Sequence, residues 1–87
     1  MENKYYLLDV RTPQEFNESH VPNSTLIPMD EIPTNLEKLK KIKKPILIIC
    51  RSGARAHAVQ DFLSQNNITN TSVLRGGIIQ NSQLLNP

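Results

Sequence analysis

The sequence predicts an α/β domain with a central, mostly parallel sheet and helices on both faces. Short apolar runs with strand character alternate along the chain with segments that carry helix-start signals or helical apolar spacing. The run Ile46–Ile49 is apolar at every position, which is typical of a central strand covered on both faces. With 87 residues, the chain is long enough for one core, so we expect one domain over residues 1–87.

The first predicted strand and helix lie before residue 19. Residues 5–8 are aromatic and apolar, and we interpret them as the first strand. Thr12 and Glu15 have the spacing of a capping box, and Pro13 suits the first helical position. These signals predict a short helix that runs to about Glu18.

The next two elements are a short strand and an amphipathic helix. Residues 24–27 predict the second strand. Thr34 repeats the capping pattern, and the following helix is predicted to end at Pro45. Its core positions recur every three residues, at Leu36, Leu39 and Ile42.

The second half of the chain continues the alternation. After the strand Ile46–Ile49, one helical stripe is predicted to consist of Ala58, Val59, Phe62 and Leu63. Residues 72–74 predict the fourth strand, and residues 78–85 a final short helix. Between them, Gly76 and Gly77 indicate a turn that needs a positive φ or a close backbone approach.

Cys50, the only cysteine, directly follows the apolar strand. Open α/β sheets usually bind ligands at the carboxyl ends of their strands. A turn of small residues after Cys50 opens a helix, whose unpaired N–H groups and partial positive charge favour anions. Arg51 and Arg55 flank this turn and keep their charge at working pH. The pattern predicts a nucleophilic thiolate beside a site for an anionic substrate.

Four segments occur in the order of the motifs of one known family. Residues 50–55, Cys-Arg-Ser-Gly-Ala-Arg, resemble the active-site loop of the rhodanese sulfurtransferases. Residues 7–16 are similar to the opening motif of that family, and residues 20–22 with 27–28 to its second motif. Residues 74–77 resemble the closing motif. The resemblance covers nearly the whole chain and implies a rhodanese-like three-layer fold.

The resemblance implies transfer of a sulfane sulfur through a persulfide on Cys50. A small anionic donor such as thiosulfate would supply the sulfur, and cyanide or a thiol, including a protein thiol, would accept it. Because the chain has no second cysteine, the acceptor must be external and the kinetics ping-pong. No cofactor is implied.

The resemblance also assigns roles around the sulfur. Cys50 would be catalytic, and the substrate-binding residues would be Arg51, Ser52, Gly53, Ala54 and Arg55. Their backbone N–H groups would hold the persulfide charge, and Gly53 would let the backbone curl around the sulfur. Arg55 would fix the loop and supply positive potential, whereas Arg51 is either at the pocket mouth or an idle surface charge. Ser52 either donates a hydrogen bond to the sulfur or caps the helix.

Two further pairs of residues are less strongly indicated as catalytic. Asp9 and Arg11 are expected to be structural, through an ion pair or loop hydrogen bonds. His20 and His57 suggest a Cys–His dyad, but a loop that already favours the thiolate needs no base. One cysteine and two distant histidines do not have the spacing of a zinc site.

Composition and charge restrict the partners. The net charge of +2 is too small to argue for nucleic acid. No apolar stretch approaches the roughly 20 residues that span a bilayer, and residues 1–4 lack a signal-peptide pattern. We therefore expect a cytoplasmic protein with no membrane partner. The lysines of one predicted helix form a solvated face or dock an acidic acceptor protein; they are Lys38, Lys40, Lys41, Lys43 and Lys44.

Two alternative functions remain open. One is a non-catalytic module that carries a persulfide, and the other is a cysteine-dependent phosphatase or arsenate reductase, whose related loops bind tetrahedral oxyanions. The chain also departs from the family pattern. Ser19 and Asn23 replace frequent glycines, and no tryptophan follows Gly76 and Gly77.

Overall fold

A four-stranded parallel sheet organises the computed structural model, which describes residues 4–85. The strands are β1 (Tyr6–Asp9), β2 (Thr25–Leu26), β3 (Ile46–Ile49) and β4 (Thr71–Val73). Their order across the sheet is β2-β1-β3-β4, so the apolar strand β3 lies between two neighbours, as predicted. The strands β1 and β4 are displaced by one residue from their predicted positions, and β2 is shorter than predicted.

Helices and short 3-10 turns connect the strands and confirm the α/β class. The helices are α1 (Pro13–Glu18), α2 (Leu36–Lys40), α3 (Ala54–Gln65) and α4 (Gly77–Gln80). The 3-10 turns are Met29–Glu31, Pro33–Asn35 and Ser82–Leu84. No helix within residues 4–85 has the length and apolar character needed to cross a membrane.

Helix α1 begins with the predicted capping box. The Thr12 hydroxyl accepts a hydrogen bond from the Glu15 N–H at 3.2 Å, and the Glu15 carboxylate accepts one from the Thr12 N–H at 3.0 Å. Pro13 occupies the first helical position, where no N–H is needed. This reciprocal cap fixes both the start of α1 and the position of the Glu15 carboxylate.

The predicted start and end of the second helix were wrong. Thr34 lies inside the 3-10 turn and donates its hydroxyl to the Glu31 carbonyl at 2.9 Å, and α2 begins at Leu36. Thr34 is itself a residue of that turn and does not cap α2, whose N-cap is Asn35. Helix α2 ends at Lys40, well before Pro45.

Two predictions in the second half also need correction. Helix α3 buries Ala56, Val59 and Leu63, whereas Ala58 is exposed, because the helix begins at Ala54 and its inner face follows that spacing. The predicted helix over residues 78–85 is interrupted at Asn81. The Asn81 side chain donates to the Gly77 carbonyl at 2.8 Å, so that acceptor is used by a side chain and the helix stops.

The sheet has an apolar cluster on each face, because successive side chains of a strand point in opposite directions. Ile48 belongs to the larger cluster, which α2 and α3 cover through Leu39 and Leu63. Ile49 belongs to the smaller cluster, which includes Ile78 of α4. Helices therefore cover both faces, as predicted, and β3 ends between these layers at Cys50.

Candidate active site

The Cys50 sulfur lies in a cradle of backbone amides. Cys50 follows β3 directly and is only 1% exposed. Its Sγ accepts hydrogen bonds from the Gly53 N–H at 2.9 Å and from the Ala56 N–H at 3.4 Å. These donors lie at the start of α3, where the helix leaves N–H groups without helical partners. The cradle therefore favours negative charge on the sulfur.

The loop turns into α3 at Gly53. This residue has φ +110° and is the N-cap of the helix, without a side-chain cap. A residue with a Cβ rarely adopts this conformation, so the turn favours glycine. A steric clash around the sulfur, the reason expected from the sequence, is not the cause, because a Cβ at Gly53 would meet no atom within 4 Å. Since Gly53 is the N-cap, the helix-capping role considered for Ser52 is wrong. The other loop residues differ in exposure: Arg51, Ser52 and Ala54 are exposed, and Arg55 is half-buried.

Helix α4 holds the outer side of the loop. The N–H groups of Ile78 and Ile79 donate to the carbonyls of Cys50 and Arg51, each at 3.0 Å. Gly77 has φ +62°, and a Cβ at this position would collide with the Arg51 carbonyl. The predicted turn at the two glycines thus has both proposed causes, a positive φ and a close backbone approach.

Arg55 ties the loop to α1 through Glu15. Its Nη1 and Nη2 lie 2.9 and 3.1 Å from the two oxygens of the Glu15 carboxylate. The planar guanidinium thus forms two parallel hydrogen bonds with the carboxylate. The hydrogen bond from Arg55 is the main cause that lowers the pKa of Glu15 to about 2, against an opposing effect of burial. The same bond is the main cause that raises the pKa of Arg55, and the charges of Cys50 and Asp9 add to it.

A second ion pair, between Arg11 and Asp9, is buried at the end of β1. The Arg11 guanidinium contacts the Asp9 carboxylate through Nε at 3.0 Å and Nη2 at 2.8 Å, and Nη2 also donates to the Ser19 carbonyl. The Asp9 carboxylate accepts the Arg11 backbone N–H as well. The expected structural role of Asp9 and Arg11 is confirmed: together they close the turn between β1 and α1.

Comparisons with known proteins agree with this geometry. Residues 1–80 match the rhodanese-like domain. The chain belongs to the rhodanese-like domain family. It is 37% identical over 73 residues to a sulfurtransferase of Allochromatium vinosum, covering 84% of this chain and 67% of that protein. General sulfur transfer is thus the activity that the family and this relative support.

Solved structures also resemble this rhodanese-like domain. The crystal structure of SSP1007 from Staphylococcus saprophyticus superposes with a TM-score of 0.80 and 33% identity, covering 92% of this chain and 78% of that chain. A rhodanese-like domain protein from Staphylococcus aureus gives a TM-score of 0.78 and 34% identity, with coverages of 88% and 74%. The predicted rhodanese-like fold is confirmed.

The histidines of this rhodanese-like domain do not form a dyad with the sulfur within residues 4–85. The His20 ring stacks on Phe16 with centroids 3.9 Å apart, and its Nδ1 lies 2.9 Å from the Phe16 carbonyl oxygen. His57 is exposed on α3. The hydrogen bonds that reach the Cys50 sulfur come from backbone amides. Residues 4–85 contain no cluster of three or more histidine, cysteine or acidic side chains suited to a metal ion.

Sequence reasoning missed the function of Glu15. The capping pattern explained this residue locally, yet the same carboxylate also binds Arg55, which is 40 positions away in the sequence. A single sequence offers no signal for such a distant pair.

Proposed function

We propose that this rhodanese-like domain transfers a sulfane sulfur from thiosulfate, or a similar anionic donor, to cyanide or a thiol. The observation that carries the proposal is the amide cradle, in which Gly53 and Ala56 donate to the Cys50 sulfur. Hydrogen bonds from fixed donors stabilise a charge more effectively than water does, because they need no reorganisation during the reaction. The family and its sulfurtransferase relative support the same general activity.

In the first half-reaction, the Cys50 thiolate attacks the outer sulfur of thiosulfate. The new bond joins Sγ to that sulfur, and the bond between the outer sulfur and the sulfonate sulfur breaks. The electron pair of the broken bond leaves with sulfite. The product is a Cys50 persulfide whose negative charge lies mainly on the outer sulfur, and the total charge is unchanged.

In the second half-reaction, cyanide or an external thiolate attacks the outer sulfur. The bond between the two sulfurs breaks, and its electron pair returns to Sγ. Thiocyanate or a new persulfide leaves, and the Cys50 thiolate is restored. Because Cys50 is the only cysteine, no internal thiol can resolve the persulfide, so the two substrates bind in turn.

The loop also favours sulfur over phosphate as its substrate. Residues 50–55 form a loop of six residues, whereas related phosphatase loops contain one more. We therefore expect the protein to bind the single outer sulfur of a donor and to close poorly around phosphate.

We place this activity in the cytoplasm. A sole catalytic cysteine forms no internal disulfide, and its thiol needs a reducing compartment to stay reactive. The partners required are a small anionic sulfur donor and a cyanide or thiol acceptor, and the proposed reaction uses no cofactor.

Steady-state kinetics test this proposal. With thiosulfate and cyanide both varied, we expect parallel double-reciprocal lines and thiocyanate formation that is lost in Cys50→Ser. Aryl phosphate hydrolysis should be negligible. Phosphate hydrolysis faster than thiocyanate formation would overturn the proposal. Sulfur accepted on Cys50 only from a partner protein would instead identify a persulfide carrier.

A further inference from the structure

Four arginines lie in the segments around the Cys50 loop, and only two of them have a carboxylate partner. Arg11 pairs with Asp9, and Arg55 pairs with Glu15. The other two, Arg51 and Arg75, are exposed and form no salt bridge within residues 4–85. Much of the positive charge of Arg55, which the sequence assigned to the substrate, is therefore offset by Glu15.

Arg75 lines a groove that adjoins the sulfur cradle. The groove has a volume of about 340 Å³ and lies between the Cys50 loop, the first turns of α3 and the end of β4; it is lined in part by Ser52, Gly53, His57, Gln60, Arg75 and Gly76. We name it the β4 groove. Gly53 belongs to both places, because its N–H donates to the Cys50 sulfur at 2.9 Å. A Cβ at Gly53 would meet no atom within 4 Å, so the groove is open beside the cradle.

The charges of the β4 groove suit an anion. Arg75 is its only arginine or lysine, and no carboxylate lines it. The groove on the other side of the loop is slightly larger, at about 390 Å³, but its two arginines are those paired with Asp9 and Glu15. That second groove also contains the exposed carboxylate of Asp30, which repels anions. A dianion in the β4 groove would therefore lie near a positive charge that no carboxylate of the groove offsets.

The backbone of Arg75 is held in a fixed position. Its carbonyl accepts a hydrogen bond from the Asn81 side chain at 2.9 Å, and it directly precedes the two glycines that pack α4 on the loop. Arg75 thus lines a groove of small-ligand size from an anchored segment. Its planar fork matches the oxygens of a sulfonate group, which two parallel N–H donors can hold.

We propose that Arg75 in the β4 groove recruits the anionic sulfur donor and determines its specificity. This proposal rests on the proposed function and adds a residue outside the Cys50 loop. Arg75 binds the sulfonate end of a donor such as thiosulfate. It takes no part in bond breaking, so its removal weakens donor binding and leaves the chemical step intact.

Donor kinetics test this role. In Arg75→Glu, we expect the KM for thiosulfate to rise about tenfold, which corresponds to a loss of roughly 1.4 kcal/mol in binding, with kcat within about twofold. Arg75→Lys should retain part of the affinity, since it keeps the charge without the fork. For methanethiosulfonate, a donor with one negative charge, the rise should be smaller. Lys40→Glu makes the same charge change on α2 and serves as the control. Equal KM values in Arg75→Glu and Lys40→Glu would overturn the proposal.

A binding measurement separates this proposal from the proposed function. Thiosulfate titrated into Cys50→Ser, which cannot form the persulfide, should shift the amide resonances of Gly53 and Gly76. Adding Arg75→Glu to that background should weaken binding about tenfold. If binding depends on Arg75 and the wild-type protein forms no persulfide, sulfur transfer is wrong and the binding role of Arg75 stands. If the persulfide forms and binding is indifferent to Arg75, or absent in Cys50→Ser, the role of Arg75 is wrong.

Discussion

Two regions of basic side chains differ in how their charge is held: the arginines Arg11 and Arg55 beside the Cys50 loop, and the lysines at positions 38–44. Arg11 and Arg55 near the carboxyl end of the sheet are fixed by paired carboxylates. The lysines at positions 38–44 are exposed, and Lys40 forms a pair with Glu37 at a separation of 3.7 Å. The difference shows that the charges of Arg11 and Arg55 are held in place and offset by carboxylates, whereas the charges of the lysines are exposed to solvent.

The distance between the two regions also matters for partners. Lys44 lies two residues before the first residue of β3, Ile46, and Cys50 follows that strand. At about 3.3 Å per residue, the two ends are roughly 20 Å apart. A small acceptor protein docked on the lysines would therefore have to span the sheet to reach the persulfide. The solvated-face interpretation of the lysines is favoured by this placement, and docking of an acidic acceptor there remains an alternative.

The largest expected effect comes from breaking the buried pair. Arg11→Met leaves the Asp9 carboxylate buried without its partner, so the free energy of unfolding should fall by about 3–5 kcal/mol. Lys40→Met, which removes an exposed pair, should cost less than about 0.5 kcal/mol. Urea unfolding measures both. A loss in Arg11→Met as small as that in Lys40→Met would contradict the contrast between anchored and solvated charge.

The two glycines before α4 allow a matched comparison of the loop support. Gly77→Ala places a Cβ against the Arg51 backbone, whereas Gly76→Ala places one against the Gln80 side chain, including its Cβ. Both variants carry the left-handed strain of about 1 kcal/mol, and we expect Gly77→Ala to cost a further ~1–2 kcal/mol from the forced backbone shift.

Gly77→Ala should also slow sulfur transfer more than Gly76→Ala, because the collision lies in the Cys50 loop itself. Thermal unfolding and thiocyanate formation measure the two effects separately. Equal losses in both variants would show that the contact between α4 and the loop has no special importance.

The link between Arg55 and Glu15 should give stability a distinct pH dependence. The pKa of Glu15 falls from 4.5 to about 2 on folding, so the unfolded chain takes up the proton first as the pH is lowered. The stabilisation is complete above pH 4.5 and is lost between pH 4.5 and about 2. After allowance for solvent screening at this half-exposed pair, we expect about 1–2 kcal/mol.

Glu15→Gln isolates this contribution. Above pH 4.5 it should be less stable than the wild-type protein, and the difference should shrink as the pH falls through that window. Glu37→Gln, which alters an exposed carboxylate on α2, is the control. A difference between wild type and Glu15→Gln that is constant from pH 6 to about 2 would show that the pair does not stabilise the fold.

The smallest effect is expected at the lysines. Lys41→Gln with Lys43→Gln should change the free energy of unfolding by less than about 0.5 kcal/mol, because both side chains are exposed. The KM for thiosulfate should also be unchanged at physiological ionic strength, since charges beyond about 8 Å are largely screened. A severalfold rise in KM would mean that long-range attraction by the lysines contributes to donor capture.

The sequence predicted the parts of the fold that local patterns determine. The apolar run of β3, the capping box at Thr12 and the turn at Gly76 and Gly77 each follow from neighbouring residues, and the structure confirms them. The prediction at Thr34 failed because a 3-10 turn from Pro33 to Asn35 precedes α2 and includes Thr34. The capping pattern alone does not reveal this turn.

The candidate site likewise has features that neighbouring residues determine and features that depend on how distant segments pack together. Cys50 and its loop could be identified from adjacent residues, but the partner of Arg55 could not, because Glu15 comes from a different helix. Likewise, Arg75 belongs to a recognised motif, yet its place in a groove beside Gly53 depends on how β4 lies against α3. The sequence thus indicated Cys50 as the candidate nucleophile, whereas the distribution of charge around it is visible only in the three-dimensional structure.

The central claim is that the amide cradle holds a persulfide on Cys50, and intact-protein mass spectrometry tests it most directly. After incubation with thiosulfate, the wild-type protein should gain the mass of one sulfur atom, and cyanide should remove it. Cys50→Ser should gain nothing. A persistent adduct in Cys50→Ser, or a wild-type protein that gains no sulfur from thiosulfate, would contradict the claim.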